Sequence, residues 1–300
     1  MPFLRERSGG WSPVKIVAFA GTIVPALWIA FQAIGGELGP RPFTEAIHQS
    51  GEWTLRLLLI TLAVTPALRL LRLPRLGLAR RTLGVGCAAY GLLHICLYIL
   101  DQHFDLLKVA SEIVLRIYLT IGALALTGLT ALAATSTDAA VRRLGARRWN
   151  ALHRCVYAIA PLAAVHFFMQ SKLNIYEPTL MAGFLVWLLG YRVLFRLNGE
   201  VAPLQLVLLA CAAALVTAMG EAAIYMFTTG VDARRVLLAH LDPQMELRPA
   251  WWVLLASLAI AAAGWWRYRP ARRRLRRRVA GGNAISGTQP VAAVVQRRAV

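Results

Sequence analysis

Three histidines, His94, His153 and His166, stand inside stretches that are otherwise almost wholly apolar. Ionisable side chains in such a setting are costly and mark functional positions by default. A neutral imidazole offers one nitrogen lone pair and is the commonest metal ligand among side chains. Two imidazoles facing each other from neighbouring helices can clamp a haem iron from both sides, since histidine is a standard axial ligand. Such a clamp needs two histidines at one depth. His153 and His166 are 13 residues apart, which is about 20 Å along an ideal helix and about 140° around it. Those two cannot share one iron, although Pro161 between them can kink the helix and alter the angle. No CxxCH run is present, which speaks against covalent c-type attachment.

Which histidines meet depends on the elements that carry them. Of the 300 residues, 58% are hydrophobic and 16% charged, against about 25% charged in a typical soluble domain. Lys and Arg number 33 against 14 acids, a net charge of +19. A soluble enzyme or a disordered chain would leave too much apolar surface wet. A nucleic-acid binder would explain the charge but not the apolarity. A polytopic membrane protein explains both, provided the basic residues collect in connections on one side.

Eight stretches reach the roughly 20 apolar residues that a membrane helix needs: 14–34, 53–71, 82–100, 114–134, 150–168, 178–197, 204–227 and 250–266. The first is too long for a signal-peptide core and reads as a retained anchor. The expected fold is therefore all-α, a polytopic membrane helix bundle. The second connection carries Arg69, Arg72, Arg75, Arg80 and Arg81, and the fourth Arg142, Arg143, Arg147 and Arg148. The first carries Glu37, Glu45 and Glu52, and the third Asp101, Asp105 and Glu112. Basic connections alternate with acidic or neutral ones throughout. By the positive-inside rule both termini are cytoplasmic, and the number of spans is even.

That orientation sets the depths. The third and fifth spans both run outward, so His94 and His166 share the outer leaflet while His153 lies near the inner face. The expectation is a b-type haem between His94 and His166. For His153 the open roles are a second haem with an unidentified partner, a flavin or quinone contact, a haem propionate contact, or a capped interfacial histidine near Trp149 and Arg154.

The remaining polar features are fewer. Cys87, Cys96, Cys155 and Cys211 all fall in spans without a CxxC pattern and read as buried apolar thiols. Glu221 in the seventh span is either a proton or quinone contact or one half of a polar pair, with Tyr225 one turn along as a partner. The run of arginines in 267–278 reads as a topology anchor on anionic lipid of the inner leaflet, with 269–300 expected to be disordered.

The strings RTLGVGCAAYGLLHICLY, IYLTIGALALTGLTALAATST and VRRLGARRWNALHRCVYAIAPLAAVHFF, with IHQSGEWTLRLLLITLAVTPALRLL upstream, resemble the ferric-reductase-like transmembrane domain family. More narrowly they are similar to the haem-binding membrane subunits of bacterial periplasmic methionine sulfoxide reductase systems. The resemblance covers roughly 14–197. It implies a six-helix haem core over 14–197, with His94, His153 and His166 as haem histidines, in the bacterial inner membrane. It also implies FMN as a second cofactor. Electrons would come from the quinone pool or a cytoplasmic flavin reductase and leave to a periplasmic molybdopterin-containing methionine sulfoxide reductase. Residues 1–13 then form a cytoplasmic N-terminus, 198–268 a two-helix extension that the compact family form lacks, and 269–300 the basic tail. Arg80, Arg81, Arg147 and Arg148 could hold an FMN phosphate or a haem propionate, because guanidinium forks suit such oxygens; their plainer role is as topology signals.

No glycine fingerprint for a dinucleotide is present, and no connection is long enough to form a nicotinamide-binding domain. The reading is an electron conduit whose donor and acceptor lie outside the chain. A ferric or other metal reductase cytochrome, or a non-haem transporter or structural subunit, remain the alternatives.

Overall fold

The computed structural model describes residues 10–171, 174–242 and 246–266. The arginine tail, with its lipid anchor and domain limits, lies outside the described residues, as does Lys172.

Helix α1 spans Pro13–Gly35, α2 Pro42–Leu70, α3 Ala79–Asp101, α4 Leu106–Leu115, α5 Ile117–Ala134, α6 Asp138–His153, α7 Val156–Gln170, α8 Tyr176–Asn198, α9 Pro203–Thr229 and α10 Ala233–Ala239. A final helix, α11, spans Pro249–Trp266. Seven of these are long and apolar enough to cross a membrane, and α6 with α7 would supply an eighth as a pair bent by 43°. The chain is a multi-pass membrane protein. Starts follow local chemistry: Pro occupies the first turn of α1, α2 and α9, where its missing N–H is not needed. Gly36 and Gly230, both left-handed, close α1 and α9.

Three boundaries depart from the sequence expectation. Helix α2 begins at Pro42, so Glu45, His48 and Glu52 stand on helix rather than in a loop. The third connection is itself helical: α4 is capped by the Asp105 carboxylate accepting from the Lys108 N–H. The chain then breaks at Arg116, which is extended (φ −107°, ψ 107°), before α5. The expected fifth span, 150–168, is broken too. Helix α6 carries a non-helical Gly145 (φ 72°, ψ 153°), and only the 15 residues of α7 continue into the bundle.

The helices pack around α2, which touches α1, α3, α7 and α8. Leu57, Leu58, Cys87, Ala160, Trp187, Ala213 and Val253 share one buried core, so α9 and α11 belong to the same packed unit as the first eight helices. Small residues permit this. A Cβ on Gly183 of α8 would come within 2.6 Å of Val253, and one on Gly190 within 2.5 Å of Leu209, consistent with the small-residue contacts favoured between membrane helices. Of the four thiols only Cys87 is buried; Cys96, Cys155 and Cys211 are free and face outward.

Prolines inside membrane helices free a carbonyl that must find another donor. Pro66 in α2 removes the partner of the Leu62 carbonyl. The Arg192 guanidinium of α8 replaces it, donating to Leu62 O at 2.5 Å and to Leu188 O at 2.8 Å.

Candidate functional site

His94 on α3 and His166 on α7 face each other across the bundle, ring centres 6.4 Å apart and planes at 86°. Both rings are held in the same way. The Nδ1–H of His94 donates to the Ile47 carbonyl at 2.8 Å, and that of His166 to the Tyr118 carbonyl at 2.8 Å. A carbonyl only accepts, so each Nδ1 carries the proton and each Nε2 presents its lone pair. This is the outer-shell bond that orients metal-ligating histidines.

A glycine completes each mount. Gly51 stands four residues after Ile47, and Gly122 four residues after Tyr118. A Cβ on Gly51 would lie 3.1 Å from the His94 ring, and one on Gly122 only 2.7 Å from the His166 ring. The imidazoles occupy the space a side chain would fill, which brings each Nδ1 onto the helix backbone. Neither glycine stood out in the sequence, because glycine is common in membrane helices. Its one signal is a position on a neighbouring span at the histidine's depth.

The spacing can be tested against a metal. An imidazole nitrogen holds a metal at about 2 Å, and adding each ring's own radius puts two rings on opposite sides of one ion about 6 Å apart, centre to centre. The His94–His166 pair fits a bis-axial haem iron on spacing, tautomer and donor type.

His153 is placed otherwise. Its ring stacks on Trp149, centres 3.7 Å apart. Its Nδ1 lies 3.1 Å from the Trp149 carbonyl and its Nε2 3.3 Å from the Ser136 hydroxyl. Trp149 in turn donates to the Thr135 carbonyl at 2.8 Å. Arg81 donates to the Ser136 carbonyl and pairs with Asp138 at 2.7 Å. His153 thus fastens the bend between α6 and α7 to the end of α5.

The four arginines considered as phosphate contacts are not brought together. Arg80 turns towards α2, donating to the Thr65 hydroxyl at 2.8 Å. Arg147 and Arg148 stand exposed on α6. Arg81, joined by Lys15 and Arg142, lines a cleft of about 1220 Å³ between α1, α3 and the start of α6. Thr22, Tyr90 and Asp138 also line it, with apolar walls that include Phe19, Ile23 and Val85.

Glu221 has partners other than the expected Tyr225. It is 2% exposed, pairs with Arg248 at 2.7 Å and faces His240 Nε2 at 3.3 Å. Both come from the connection between α9 and α11, too distant in sequence for helical spacing to reveal them.

Residues 50–164 match the family described as ferric reductase like transmembrane component, a stretch that contains His94 and His153 and stops two residues short of His166. This sets the chain among ferric-reductase-like membrane proteins. It is also 41% identical over 170 residues to the protein-methionine-sulfoxide reductase heme-binding subunit MsrQ of Caulobacter vibrioides, covering 56% of this chain and 81% of that one. The MsrQ of Rhodospirillum rubrum is 41% identical over 191 residues (63% and 89%), and that of Azospira oryzae 40% over 192 (63% and 82%). The chain belongs to the MsrQ family. No solved structure matches it.

Proposed function

We propose that this chain is the haem-binding membrane subunit of a protein-methionine-sulfoxide reductase system. It carries electrons from the quinone pool or a cytoplasmic flavin reductase to a periplasmic molybdopterin-containing reductase, with both its termini in the cytoplasm. The observation that supports this most is the His94–His166 pair: two imidazoles at haem-ligand spacing, each with Nδ1 tied to a backbone carbonyl. A bound haem b supplies a one-electron redox centre.

The chain's own residues hold and insulate that centre. His94 and His166 supply the axial nitrogens, and Gly51 and Gly122 admit the rings. The surrounding apolar helices keep water out and so raise the weight of every nearby charge. FMN is the expected second cofactor, and the cleft lined by Lys15, Arg81 and Arg142 suits a flavin or quinone head. Arg81, Lys15 and Arg142 would meet its polar end, and the apolar walls near Tyr90 its ring. His153 lies outside this axial pair and anchors the wall of the same cleft through Ser136.

The test is cofactor stoichiometry combined with electron delivery. The purified chain is expected to carry haem b with two histidine ligands. Its reduced absorption should decay when a molybdopterin methionine sulfoxide reductase and methionine sulfoxide are added together. A folded preparation without haem would overturn the reading.

A further inference from the structure

At the basic end of the bundle, four helices converge on a group of positive charges that no acid among the described residues balances. Arg69 comes from α2, Arg80 from α3 and Arg192 from α8, close enough for Arg80 to feel the field of the other two. The Arg69 guanidinium lies 3.6 Å from the centre of the Phe195 ring, and that of Arg192 lies 5.2 Å from the Tyr157 ring. Tyr191 stands against both Arg69 and Arg192. Among the described residues none of the three arginines has a carboxylate within ion-pair distance. The acids of this end among the described residues are Asp138, engaged by Arg81, and Glu200, exposed after α8. Within the group, the Arg192 Nε is buried without a hydrogen-bond partner.

The three arginines do different work. Arg192 is committed to the Leu62 carbonyl that Pro66 frees and to the Leu188 carbonyl of its own helix. Arg80 has the Thr65 hydroxyl as its partner, and Arg69 lies against the Phe195 ring and hydrogen-bonds Tyr191, so both meet only neutral groups. Charges gathered between transmembrane helices at the basic side of a bundle are an arrangement that recognises anionic phospholipid headgroups. Guanidinium groups pair with phosphate oxygens through two parallel hydrogen bonds.

We propose that Arg69, Arg80 and Arg192 form a binding site for the phosphate of one anionic phospholipid. The lipid would neutralise the cluster and complete the junction of α2, α3, α7 and α8. This does not depend on the haem assignment.

Native mass spectrometry of the full chain, released from detergent in the presence of phosphatidylglycerol or phosphatidylcholine, tests it. One phosphatidylglycerol should be retained in preference to phosphatidylcholine. R69Q/R80Q should weaken retention about tenfold or more, from the loss of two charges that would face the phosphate, while Arg192 stays to hold the Leu62 carbonyl. R75Q/R143Q removes the same charge from the same end outside the cluster and should retain the lipid as the parent does. Equal loss in both variants would mean diffuse attraction by the basic surface and would overturn the site. Inorganic phosphate or FMN displacing phosphatidylglycerol through these arginines would overturn the lipid as occupant. A circular dichroism melt of each variant separates lost binding from lost folding.

Discussion

His94 and His166 differ from His153 in what is done with their nitrogens. The first two each spend Nδ1 on a backbone carbonyl, and their rings face each other 6.4 Å apart with Nε2 left without a protein partner among the described residues. His153 has protein partners at both nitrogens and an indole against its face. All three sit in apolar sequence, where only depth separates His153 from the other two. On the proposed reading, a ligand differs from a fastener in whether its neighbours leave one lone pair free.

The sharpest way to break this contrast is to remove the rings. His94→Ala or His166→Ala should abolish nearly all haem absorbance at equal protein, because one imidazole remains where two are needed. His153→Ala should keep the haem spectrum and instead destabilise the α6–α7 bend, by about 1–3 kcal/mol for lost buried hydrogen bonds. Haem-to-protein ratio and thermal midpoint read the two outcomes separately. If His153→Ala empties the haem site, the contrast fails.

The glycines sharpen it further. Gly122→Ala puts a methyl 2.7 Å from the His166 ring and Gly51→Ala one 3.1 Å from the His94 ring. The first ring must move, whereas the second need give only a few tenths of an ångström. Gly122→Ala should lose most of its haem, and Gly51→Ala should keep it with a shifted midpoint potential, measured by redox titration. Equal effects would mean that the difference in clearance does not decide how firmly each ring is held.

Smaller effects come from regions where the contrast predicts silence. Glu221→Gln breaks the pair with Arg248, a contact 2% and 22% exposed on its two sides. It should cost about 1–2 kcal/mol of stability, with a neutral hydrogen bond remaining, and leave the haem spectrum unchanged. Arg147→Ala with Arg148→Ala, exposed on α6, should change stability by no more than about 0.5 kcal/mol and leave flavin content intact. Arg81→Ala, at the mouth of the cleft, should lower flavin content on the same preparation.

Much of this was legible before any coordinates. Hydropathy located the apolar segments, and the alternation of arginine-rich and acidic connections assigned depths that put His94 level with His166. The missed features are those that depend on neighbours. Arg80 and Arg81 look like one basic pair, yet a helix turns about 100° per residue, so one faces α2 and the other the α5–α6 corner. The break at Arg116 is set by packing: Tyr98 on α3 donates to Glu112 on α4 at 2.5 Å, and Thr120 reaches back to the Ile113 carbonyl. Gly145 stands in a run of arginine, leucine and alanine with strong helical propensity, and only its left-handed φ reveals the turn. The partners of Glu221 come from a connection whose fold no periodicity describes.

The carbonyls that hold His94 and His166 belong to the main chain. Every amino-acid replacement at Ile47 or Tyr118 leaves the acceptor oxygen where it is. The two hydrogen bonds that fix the rings are therefore shielded from most point mutations at their acceptor ends. Side-chain drift at Ile47 and Tyr118 spares the acceptors, whereas a side chain gained at Gly122 would push directly on its ring, and one gained at Gly51 would do so more gently.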